Sequence, residues 1–335
     1  MSIKKFIIRK MVLPGFLFFG LDSILLSRSK KTCCIINFHG VRKSNSGYFN
    51  NRHIPVQEFE KTLKYLSKKY NIVSLTKAFE AHRLNKPFKK RTIAITFDDG
   101  YMNNFETALP VLKKYNIPAT FYLITKGLNT PSFKVWPDLI DILKLHCKTK
   151  VEVNAHVFYP PNFFNQNLNL DLLNYLKTLG EKTEDVVNEL IKTHQLETIV
   201  NEQKPEMIQL VTKEVLDRHK NEALIEYGSH TNTHFNLEYL NRPAAESELI
   251  TSKTIIETIT GKPVTSLAYP DGSYTKETVE ISKKAGYLNQ VAVEYRYNEN
   301  NNSKDVLSRF TISNSTTFES NALRLAKQFN KYGFC

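Results

Sequence analysis

Cysteine is scarce in this sequence, and the few cysteines present are not spaced for cross-linking. The 335 residues include four cysteines, of which Cys33 and Cys34 are adjacent and would form a strained disulfide. The sequence has no Cys-x-x-Cys spacing. This pattern argues against a disulfide framework and favours a reducing compartment, in which thiols stay reduced.

A signature of nucleic-acid binding is also missing, although the chain is strongly basic. The formal net charge is +13, which suggests an anionic partner such as nucleic acid, an acidic membrane surface or a phosphate-bearing substrate. The cations are spread along the chain, however, and no basic block with interleaved aromatic residues or nucleic-acid-binding module occurs. We therefore expect no nucleic acid among the partners.

An apolar stretch near the N-terminus lacks the length and the continuity of a membrane span. It runs from Met11 to Leu26, contains Asp22 and is interrupted by a Pro-Gly pair, whereas a bilayer span needs roughly 20 apolar residues. The residues that follow form a poor signal-peptide cleavage site. Three alternatives stay open for residues 1–31: an interfacial helix, an uncleaved anchor, and a helix packed on the protein's own core.

Cations flank this stretch on both sides. Within the first 30 residues Asp22 is the single acid, and it is opposed by six cations: Lys4, Lys5, Arg9, Lys10, Arg28 and Lys30. Because such cations attract anionic lipid headgroups, we predict that residues 1–31 are a basic amphipathic segment that associates with an anionic membrane surface. The predicted localisation is peripheral attachment to the cytoplasmic (inner) membrane, on a side that the sequence leaves open.

From about residue 32 the chain alternates between strand and helix patterns. Apolar runs typical of buried strands include residues 34–41, 92–97 and 117–124, and segments with helical spacing follow them, such as Val56 to Tyr70. This alternation implies a mostly parallel sheet with right-handed crossovers. By itself it allows either a barrel or a doubly wound sheet.

Residues 130–205 interrupt the alternation. The segment contains Trp136 and an asparagine-rich stretch, and we predict helices near Leu170–Leu179 and Glu184–His194. We interpret the segment as an insertion over the carboxyl edge of the sheet, where it is a candidate substrate lid. A further helix is predicted over Pro205 to His219, after which the alternation resumes.

Two adjacent carboxylates, Asp98 and Asp99, follow the apolar run at residues 92–97. Ligands bind at the carboxyl ends of parallel strands, and two neighbouring acids there repel each other unless a cation or a proton intervenes. His230 and His234 offer two more ligands, either on one face of a helical turn or across a tight loop. Each pattern alone is more often a turn or a surface coincidence, but together they favour a hydrolytic metal site with open coordination positions.

Both stretches resemble motifs of a known family. Thr96 to Gly100 matches T-F-D-D-G, and His230 to His234 matches H-[ST]-x-x-H, the first two motifs of the polysaccharide deacetylases with a NodB-homology domain (carbohydrate esterase family 4). The resemblance runs from about residue 34 to 312 and is closest to the branch of poly-N-acetylglucosamine deacetylases. It implies an α/β fold, a distorted (β/α) barrel usually with fewer than eight strands, over residues 32–335 with the insertion at about 130–205.

The resemblance also implies roles for the candidate residues. In this family the first aspartate of the motif is the general base and the second binds the metal, which assigns Asp98 as the base. Asp99, His230 and His234 would then bind a divalent metal, for which Zn²⁺ is expected from these ligands.

The general acid implied by the resemblance is His39. Most members use a histidine near the C-terminus, but no histidine follows His234 in this chain. In the branch that the chain resembles most, a histidine from the first strand takes that place, and His39 lies in the matching sequence N-F-H-G-V. The alternative is a histidine that is merely satisfied by hydrogen bonds at the end of a strand.

The third motif departs from the family pattern. Where many members have R-x-P-[YF], this chain has A-Y-P-D at residues 268–271. The arginine that usually orients the base is missing, and Arg309 or Lys262 is a candidate replacement. The backbone N–H of Asp271 is expected to donate to the oxyanion, and the candidates for oxyanion or substrate contacts are Asp271, Tyr269 and Arg309.

The implied function is metal-dependent hydrolysis of the amide of an N-acetyl amino sugar, in a polysaccharide or a lipid-linked glycan, during the synthesis or modification of cell-surface polysaccharide. The basic N-terminus favours a lipid-phosphate-linked substrate. One alternative is a catalytically impaired, glycan-binding relative of the same fold, which the third motif alone supports. Another is a metallophosphoesterase, which normally needs two metals and more ligands than this chain shows.

Overall fold

A computed structural model describes residues 12–27, 31–43, 50–293, 305–312 and 314–331. The strands, numbered in chain order, are β1 Cys33–Phe38, β2 Gly40–Arg42, β3 His53–Pro55, β4 Asn71–Ile72, β5 Thr92–Phe97, β6 Ala119–Leu123, β7 Val151–Val153, β8 His156–Phe158, β9 Phe164–Asn165, β10 Leu170–Asp171, β11 Ile225–Ser229, β12 Ser266–Ala268, β13 Asn289–Val293 and β14 Val306–Thr311.

The α-helices, numbered in the same way, are α1 Leu13–Phe18, α2 Leu21–Ser27, α3 Val56–Lys69, α4 Leu75–Arg83, α5 Leu109–Tyr115, α6 Lys126–Asn129, α7 Trp136–His146, α8 Leu172–Lys177, α9 Thr183–Thr193, α10 Glu197–Asn201, α11 Pro205–Ile208, α12 Lys213–His219, α13 Arg242–Thr260, α14 Lys276–Lys284 and α15 Phe318–Lys331. A π-helical turn covers Asn104–Ala108, and 3-10 turns cover Gly180–Lys182, Leu237–Tyr239 and Pro270–Gly272.

Seven parallel strands close into a barrel in the order β1, β14, β13, β12, β11, β6 and β5. The barrel closes because β1 also pairs with β5 over its full length, from Cys33 opposite Thr92 to Phe38 opposite Phe97. The short strand β4 pairs with the first two residues of β5 and adds an eighth strand to the sheet. The predicted distorted (β/α) barrel with fewer than eight barrel strands is confirmed, and the doubly wound sheet is excluded.

Strands β1 and β5 are buried along their whole length, because side chains fill the barrel on one face and helices cover the other. Between β1, β5, β6 and α3, four aromatic rings pack at centroid distances of 5.2 to 5.8 Å: Phe38, Phe59, Phe97 and Phe121. Full burial of each such side chain contributes about 1.5–3 kcal/mol. This packing supports the carboxyl ends of β1 and β5.

The segment predicted as an insertion has an apolar core of its own. Helices α7 and α9 pack together, and their buried side chains join those of the hairpin β7–β8 and of Phe163, which precedes the hairpin β9–β10. The helices predicted near residues 170–179 and 184–194 are present as α8 and α9. Helix α7 was not predicted, although it begins with Trp136-Pro137, and proline in the first turn is a common start of a helix.

The single helix predicted over Pro205 to His219 is wrong. The structure has two short helices there, α11 and α12, separated by residues 209–212. The interruption is extended because Leu210 forms a bridge with Tyr101, and the N–H of Val211 donates to the carbonyl of Gly100 at 2.9 Å. Pairing with the loop after β5 thus overrides the local helical pattern.

At the N-terminus, residues 12–27 form two short helices, α1 and α2, that pack against α15. Pro14 lies in the first turn of α1 and starts that helix, whereas the break falls at Gly20, which has a φ of 73°. Asp22 and Leu26 are buried, so one side of the pair belongs to the protein's own core. Within the described ranges, no helix is long and apolar enough to cross a bilayer.

Candidate active site

The predicted site residues converge at one end of the barrel. Parallel strands bring their carboxyl ends to the same rim: Asp98 and Asp99 follow β5, His39 follows β1 and His230 follows β11, while Arg309 lies in β14. These side chains line a pocket of about 400 Å³ between the rim and the insertion. Pockets for small ligands commonly have this size.

The insertion forms one wall of this pocket. Trp136 and Pro137 at the start of α7 line it, and so do Leu173 and Lys177 of α8. The insertion therefore lies over the carboxyl edge of the barrel, as its place in the sequence suggested. A lid-like movement of the insertion stays a prediction.

Asp99, His230 and His234 form a cluster of potential metal ligands. One ligand atom of each lies within 4.8 Å of the others, and Oδ1 of Asp99 is 3.5 Å from Nε2 of either histidine. Two ligand atoms bound at about 2.0–2.2 Å and at a tetrahedral angle would be about 3.3–3.6 Å apart. The spacing therefore fits a single metal ion.

The two histidines lie on a tight loop and not on a helical turn. Thr231 and His234 have φ values of 67° and 66°, which are uncommon for residues other than glycine. The loop is held by the buried Glu248 of α13, whose carboxylate accepts 2.9 Å hydrogen bonds from two consecutive backbone N–H groups of the loop. In the sequence Glu248 carried no signal, because an acid on a helix is usually exposed to solvent.

The hydrogen bond of His230 prepares this histidine for metal binding. Its Nδ1 lies 2.7 Å from the carbonyl oxygen of Ala268, so a proton on Nδ1 donates there and Nε2 presents its lone pair towards Asp99. Metal-ligating histidines are generally oriented by such a bond.

Burial controls the protonation of the cluster. Burial lowers the pKa of His230, and burial together with His230 lowers the pKa of His234 well below its usual value. Burial, and to a smaller extent the charge of the neighbouring Asp98, raise the pKa of Asp99 to about 8. Neutral imidazoles are the metal-binding form, and a cation beside Asp99 would favour its ionised form. The donor set thus fits a divalent metal.

Asp98 is held by a two-point ion pair with Arg309. The Nη1 and Nη2 atoms of Arg309 donate to Oδ1 and Oδ2 of Asp98 at 2.6 and 2.8 Å, and Nδ2 of Asn37 donates to Oδ2 at 2.9 Å. Burial raises the pKa of Asp98, but the charge and hydrogen bonds of Arg309, together with the nearby His230 and His39, outweigh burial and lower this pKa. The carboxylate is therefore both ionised and fixed in orientation.

This geometry distinguishes the two candidates for the missing arginine of the third motif. Arg309 is buried and bound to Asp98, whereas Nζ of Lys262 donates to the backbone carbonyl of Lys220 at 2.5 Å, away from the pocket. Because both terminal nitrogens of Arg309 bind Asp98, the structure favours a role in positioning the base over a direct contact with substrate.

His39 lies next to Asp98 on the pocket wall. The N–H of Asp98 donates to the carbonyl of Phe38 at 3.0 Å, and Nδ2 of Asn104 holds the backbone carbonyl of His39 at 2.7 Å. Burial lowers the pKa of His39 to about 4, although the charge of Asp98 opposes this. The imidazole is thus neutral at pH 7, and its assignment as the general acid stays a prediction.

Tyr269 lines the pocket. It is completely buried, and its hydroxyl is hydrogen-bonded to Gln290 at 2.5 Å and to Ser282 at 3.1 Å. The hydroxyl is therefore engaged within the fold, and the geometry favours a packing role for Tyr269 over the substrate contact expected from the sequence.

Asp271 connects the barrel to the insertion. It lies in the turn Pro270–Gly272 with a φ of 57°, and its carboxylate is 2.8 Å from Nζ of Lys177 in α8. The acid that stands in place of the family's aromatic residue thus links the rim to the insertion. Its backbone N–H belongs to a turn that lines the pocket, and donation to an oxyanion stays a prediction.

A second link between barrel and insertion was not predicted. Arg52 lines the pocket and pairs with two acids of α7: with Asp138, and with Oδ2 of Asp141 at 2.7 Å. The hydroxyl of Tyr101 donates to Oδ2 of Asp138 at 2.9 Å. Asp138 is completely buried, so its charge depends on these partners. Nothing in the local sequence indicates a pairing between residues 86 positions apart.

The single tryptophan of the chain lies beside the metal-ligand cluster. Nε1 of Trp136 donates to the backbone carbonyl of His234 at 3.1 Å, and the two rings are 6.4 Å apart. The insertion therefore also supports the loop that carries the second histidine.

The part of the sequence that carries this Asp pair and the two loop histidines matches a family model. The model described as polysaccharide deacetylase matches residues 85–289. The chain belongs to the polysaccharide deacetylase family. The resemblance to carbohydrate esterase family 4 is confirmed by this match, and a poly-N-acetylglucosamine deacetylase is among the relatives that the chain matches.

Two curated relatives illustrate the extent of the similarity. The putative polysaccharide deacetylase YxkH of Bacillus subtilis is 24% identical over 261 residues, which cover 78% of this chain and 64% of that protein. The poly-beta-1,6-N-acetyl-D-glucosamine N-deacetylase of Staphylococcus epidermidis is 34% identical over 120 residues, which cover 32% of this chain and 41% of that protein. The chain thus spans less than two thirds of the length of either relative.

Solved structures share the fold. The Streptococcus pyogenes deacetylase PplD, in complex with acetate, superposes with a TM-score of 0.57 at 17% identity and covers 88% of this chain and 98% of its own. IcaB from Ammonifex degensii superposes with a TM-score of 0.55 at 15% identity and covers 89% and 98%. At these identities the two structures support the barrel architecture.

Proposed function

We propose that this protein is a metal-dependent N-deacetylase that hydrolyses the amide of an N-acetyl amino sugar in a cell-surface glycan. One observation carries the proposal: a buried Asp-His-His cluster lies beside a separate carboxylate, Asp98, that Arg309 keeps ionised. Hydrolysis of an amide requires an activated water, a stabilised oxyanion and a proton for the leaving nitrogen. The pocket offers a group for each requirement.

The metal would be held by Asp99, His230 and His234. One carboxylate and two imidazoles suit Zn²⁺, which we propose as the ion. When bound, such an ion supplies a Lewis acid that polarises a carbonyl and lowers the pKa of water. The backbone N–H of Asp271 is proposed as a further donor to the oxyanion.

Asp98 accepts the proton of the attacking water in this proposal. Arg309 lowers the basicity of the carboxylate, because a lower pKa means a weaker base. In exchange, Arg309 keeps Asp98 ionised across the working pH range and fixes its direction, and orientation of a reacting group makes a large contribution to rate. Oδ1 of Asp98 accepts one hydrogen bond and retains a second lone pair for the proton, whereas Oδ2 already accepts two hydrogen bonds.

His39 donates the proton to the leaving nitrogen. Four other proton donors that line the pocket are each paired with a carboxylate: Tyr101, Arg52, Lys177 and Arg309. Because its pKa is about 4 in the free protein, His39 is neutral before the reaction and must gain the proton that it donates. In this proposal Asp98 passes the proton taken from the attacking water to His39, and His39 passes it to the leaving nitrogen.

The substrate class follows from the relatives. The Staphylococcus epidermidis protein is named for poly-beta-1,6-N-acetyl-D-glucosamine, and we propose an N-acetylglucosamine glycan as the substrate here. The glycan is a polysaccharide or is linked to a lipid phosphate, and activity on oligomers in solution compared with lipid-linked oligomers in vesicles separates these forms.

Acetate release from N-acetylglucosamine oligomers tests the proposal. We expect release by the purified protein, loss of release after chelation and recovery on addition of Zn²⁺. If the metal-loaded protein binds the oligomer without releasing acetate, it is the catalytically impaired glycan-binding relative. If it cleaves phosphoesters and leaves the amide intact, it is a metallophosphoesterase.

A further inference from the structure

The first two helices present apolar side chains to solvent. In α1, in α2 and beside them, four large apolar residues are exposed: Val12, Phe16, Phe19 and Ile24. Phe19 is 81% exposed and Phe16 45%. Single exposed apolar residues are ordinary on a protein surface, whereas several on one short segment indicate a contact surface. We call these four residues the N-terminal apolar face.

The opposite side of the same helices is fixed to the barrel. The buried carboxylate of Asp22 accepts a 2.8 Å hydrogen bond from the hydroxyl of Tyr65 and lies 3.2 Å from Nζ of Lys69. Lys69 also donates to the hydroxyl of Ser23 at 2.6 Å, and Leu26 belongs to the main apolar core. Helix α2 therefore cannot turn without breaking these contacts, and α1 packs with it against α15.

The sequence around the face is cationic. Lys4, Lys5, Arg9 and Lys10 precede it, and Arg28, Lys30 and Lys31 follow it; of these, Lys31 lies within the described residues and is exposed. Asp22, the one acid in this part of the sequence, is already paired with Lys69. The apolar face is thus bordered in sequence by cations that no nearby acid in the segment offsets.

We propose that the N-terminal apolar face docks this protein on the surface of an anionic lipid bilayer. Apolar side chains that enter the acyl boundary, combined with flanking cations that contact anionic headgroups, are the two features of interfacial attachment. A second copy of the chain is a poorer occupant, because a symmetric contact would bring two cationic segments together. The proposal does not depend on the reaction proposed for the pocket.

Point variants of the full chain test the docking. A truncation would remove Leu26 and Asp22 from the core, so we choose the double variant Phe16→Ser/Phe19→Ser, whose side chains are largely exposed. The matched control is Leu84→Ser/Leu288→Ser, which removes two apolar side chains that are 72% and 63% exposed on other elements. Co-sedimentation is measured with vesicles of phosphatidylcholine, pure or mixed with phosphatidylglycerol.

We expect the wild type and the control to bind the anionic vesicles and to bind neutral vesicles less. The Phe double variant should lose about tenfold or more in partitioning, since two partly inserted aromatic side chains are removed. Arg9→Gln/Lys10→Gln should lose roughly tenfold on anionic vesicles alone, and added salt should weaken wild-type binding. Acetate release from soluble oligomers should stay unchanged in every variant.

Two results would overturn the proposal. One is vesicle binding by the Phe double variant that equals that of the wild type. The other is light scattering that shows a wild-type dimer which the Phe double variant converts to a monomer while vesicle binding stays the same, because a second copy would then be the occupant of the face.

Discussion

Replacing Arg309 with methionine removes the cation that holds Asp98. The side chain of Arg309 is 1% exposed and that of Asp98 is 4% exposed, so water cannot replace the lost hydrogen bonds. Burial raises the pKa of Asp98, and Arg309 is the strongest influence that lowers it. Loss of an opposite charge at hydrogen-bonding distance should therefore raise this pKa by about 1–3 pH units.

The sign of the effect on activity follows from the role of Asp98 as a base. In the wild type, the lowered pKa keeps Asp98 ionised until the pH is strongly acidic. In Arg309→Met, Asp98 becomes protonated at higher pH, so the acid limb of the kcat/KM profile should move upward by about 1–3 pH units.

The same pair links stability to pH. A carboxyl whose pKa is lower in the folded state stabilises the fold above its unfolded pKa of about 3.9, and this contribution is lost as the pH falls through the folded pKa. Arg309→Met removes the contribution, and truncation of one partner of a buried pair costs about 3–5 kcal/mol. Protonation of Asp98 should relieve part of this cost at low pH.

Two further variants sharpen this experiment. Arg309→Lys keeps the charge without the two parallel hydrogen bonds, so we expect a lower kcat with a smaller shift of the acid limb. Arg242→Met removes exposed ion pairs with Glu246 and Glu277, a change that costs at most about 1 kcal/mol per pair. All profiles are measured at equal metal content. A profile of Arg309→Met that superposes on that of the wild type would refute the role of Arg309.

Three other substitutions and one control substitution test the remaining parts of the site. Asp98→Asn should retain the metal and lose a factor of about 100 to 10,000 in rate; turnover near that of the wild type with metal bound would exclude Asp98 as the base. His39→Gln should lower kcat by a similar factor with little change in KM, and an unchanged kcat would assign the acid to another group. Asp138→Ala leaves Arg52 without its buried partner and should destabilise the fold by roughly 3 kcal/mol in urea unfolding. The control Asp141→Ala removes a more exposed partner of Arg52 and should cost about 1 kcal/mol or less. Equal losses of unfolding free energy in the two variants would argue against the buried network.

The barrel and the ligand cluster could be predicted because both depend on local patterns. The buried run of β5 ends directly at Asp98 and Asp99, and the run of β11 ends directly before His230. Parallel strands bring such ends together whatever lies between them in sequence. The position of a short motif directly after a strand therefore predicts where the residues of that motif lie in the fold.

The partners of these residues could not be predicted in the same way. Arg309 reaches Asp98 because β14 pairs with β1, which itself pairs with β5, and that closure is not visible in any single segment. Lys262 was an equal candidate in sequence but lies elsewhere. The ion pair between Arg52 and Asp138 depends likewise on how the insertion packs on the rim.

The helix predicted from local spacing was also wrong where the segment pairs with a distant part of the chain. Residues 205–219 have helical spacing, but the chain is extended at Leu210 because it pairs with Tyr101 in the loop after β5. A propensity is a weak preference, and contacts with a distant segment readily override it.

Metal content measured on the purified protein and its variants tests the central claim most directly. If Asp99, His230 and His234 bind one ion together, the wild type and Asp98→Asn should each contain about one equivalent of divalent metal per chain, because three protein ligands complete such a site. Asp99→Ala and His230→Ala should each lose most of it. Full metal content in both of these variants would contradict the assignment of the site.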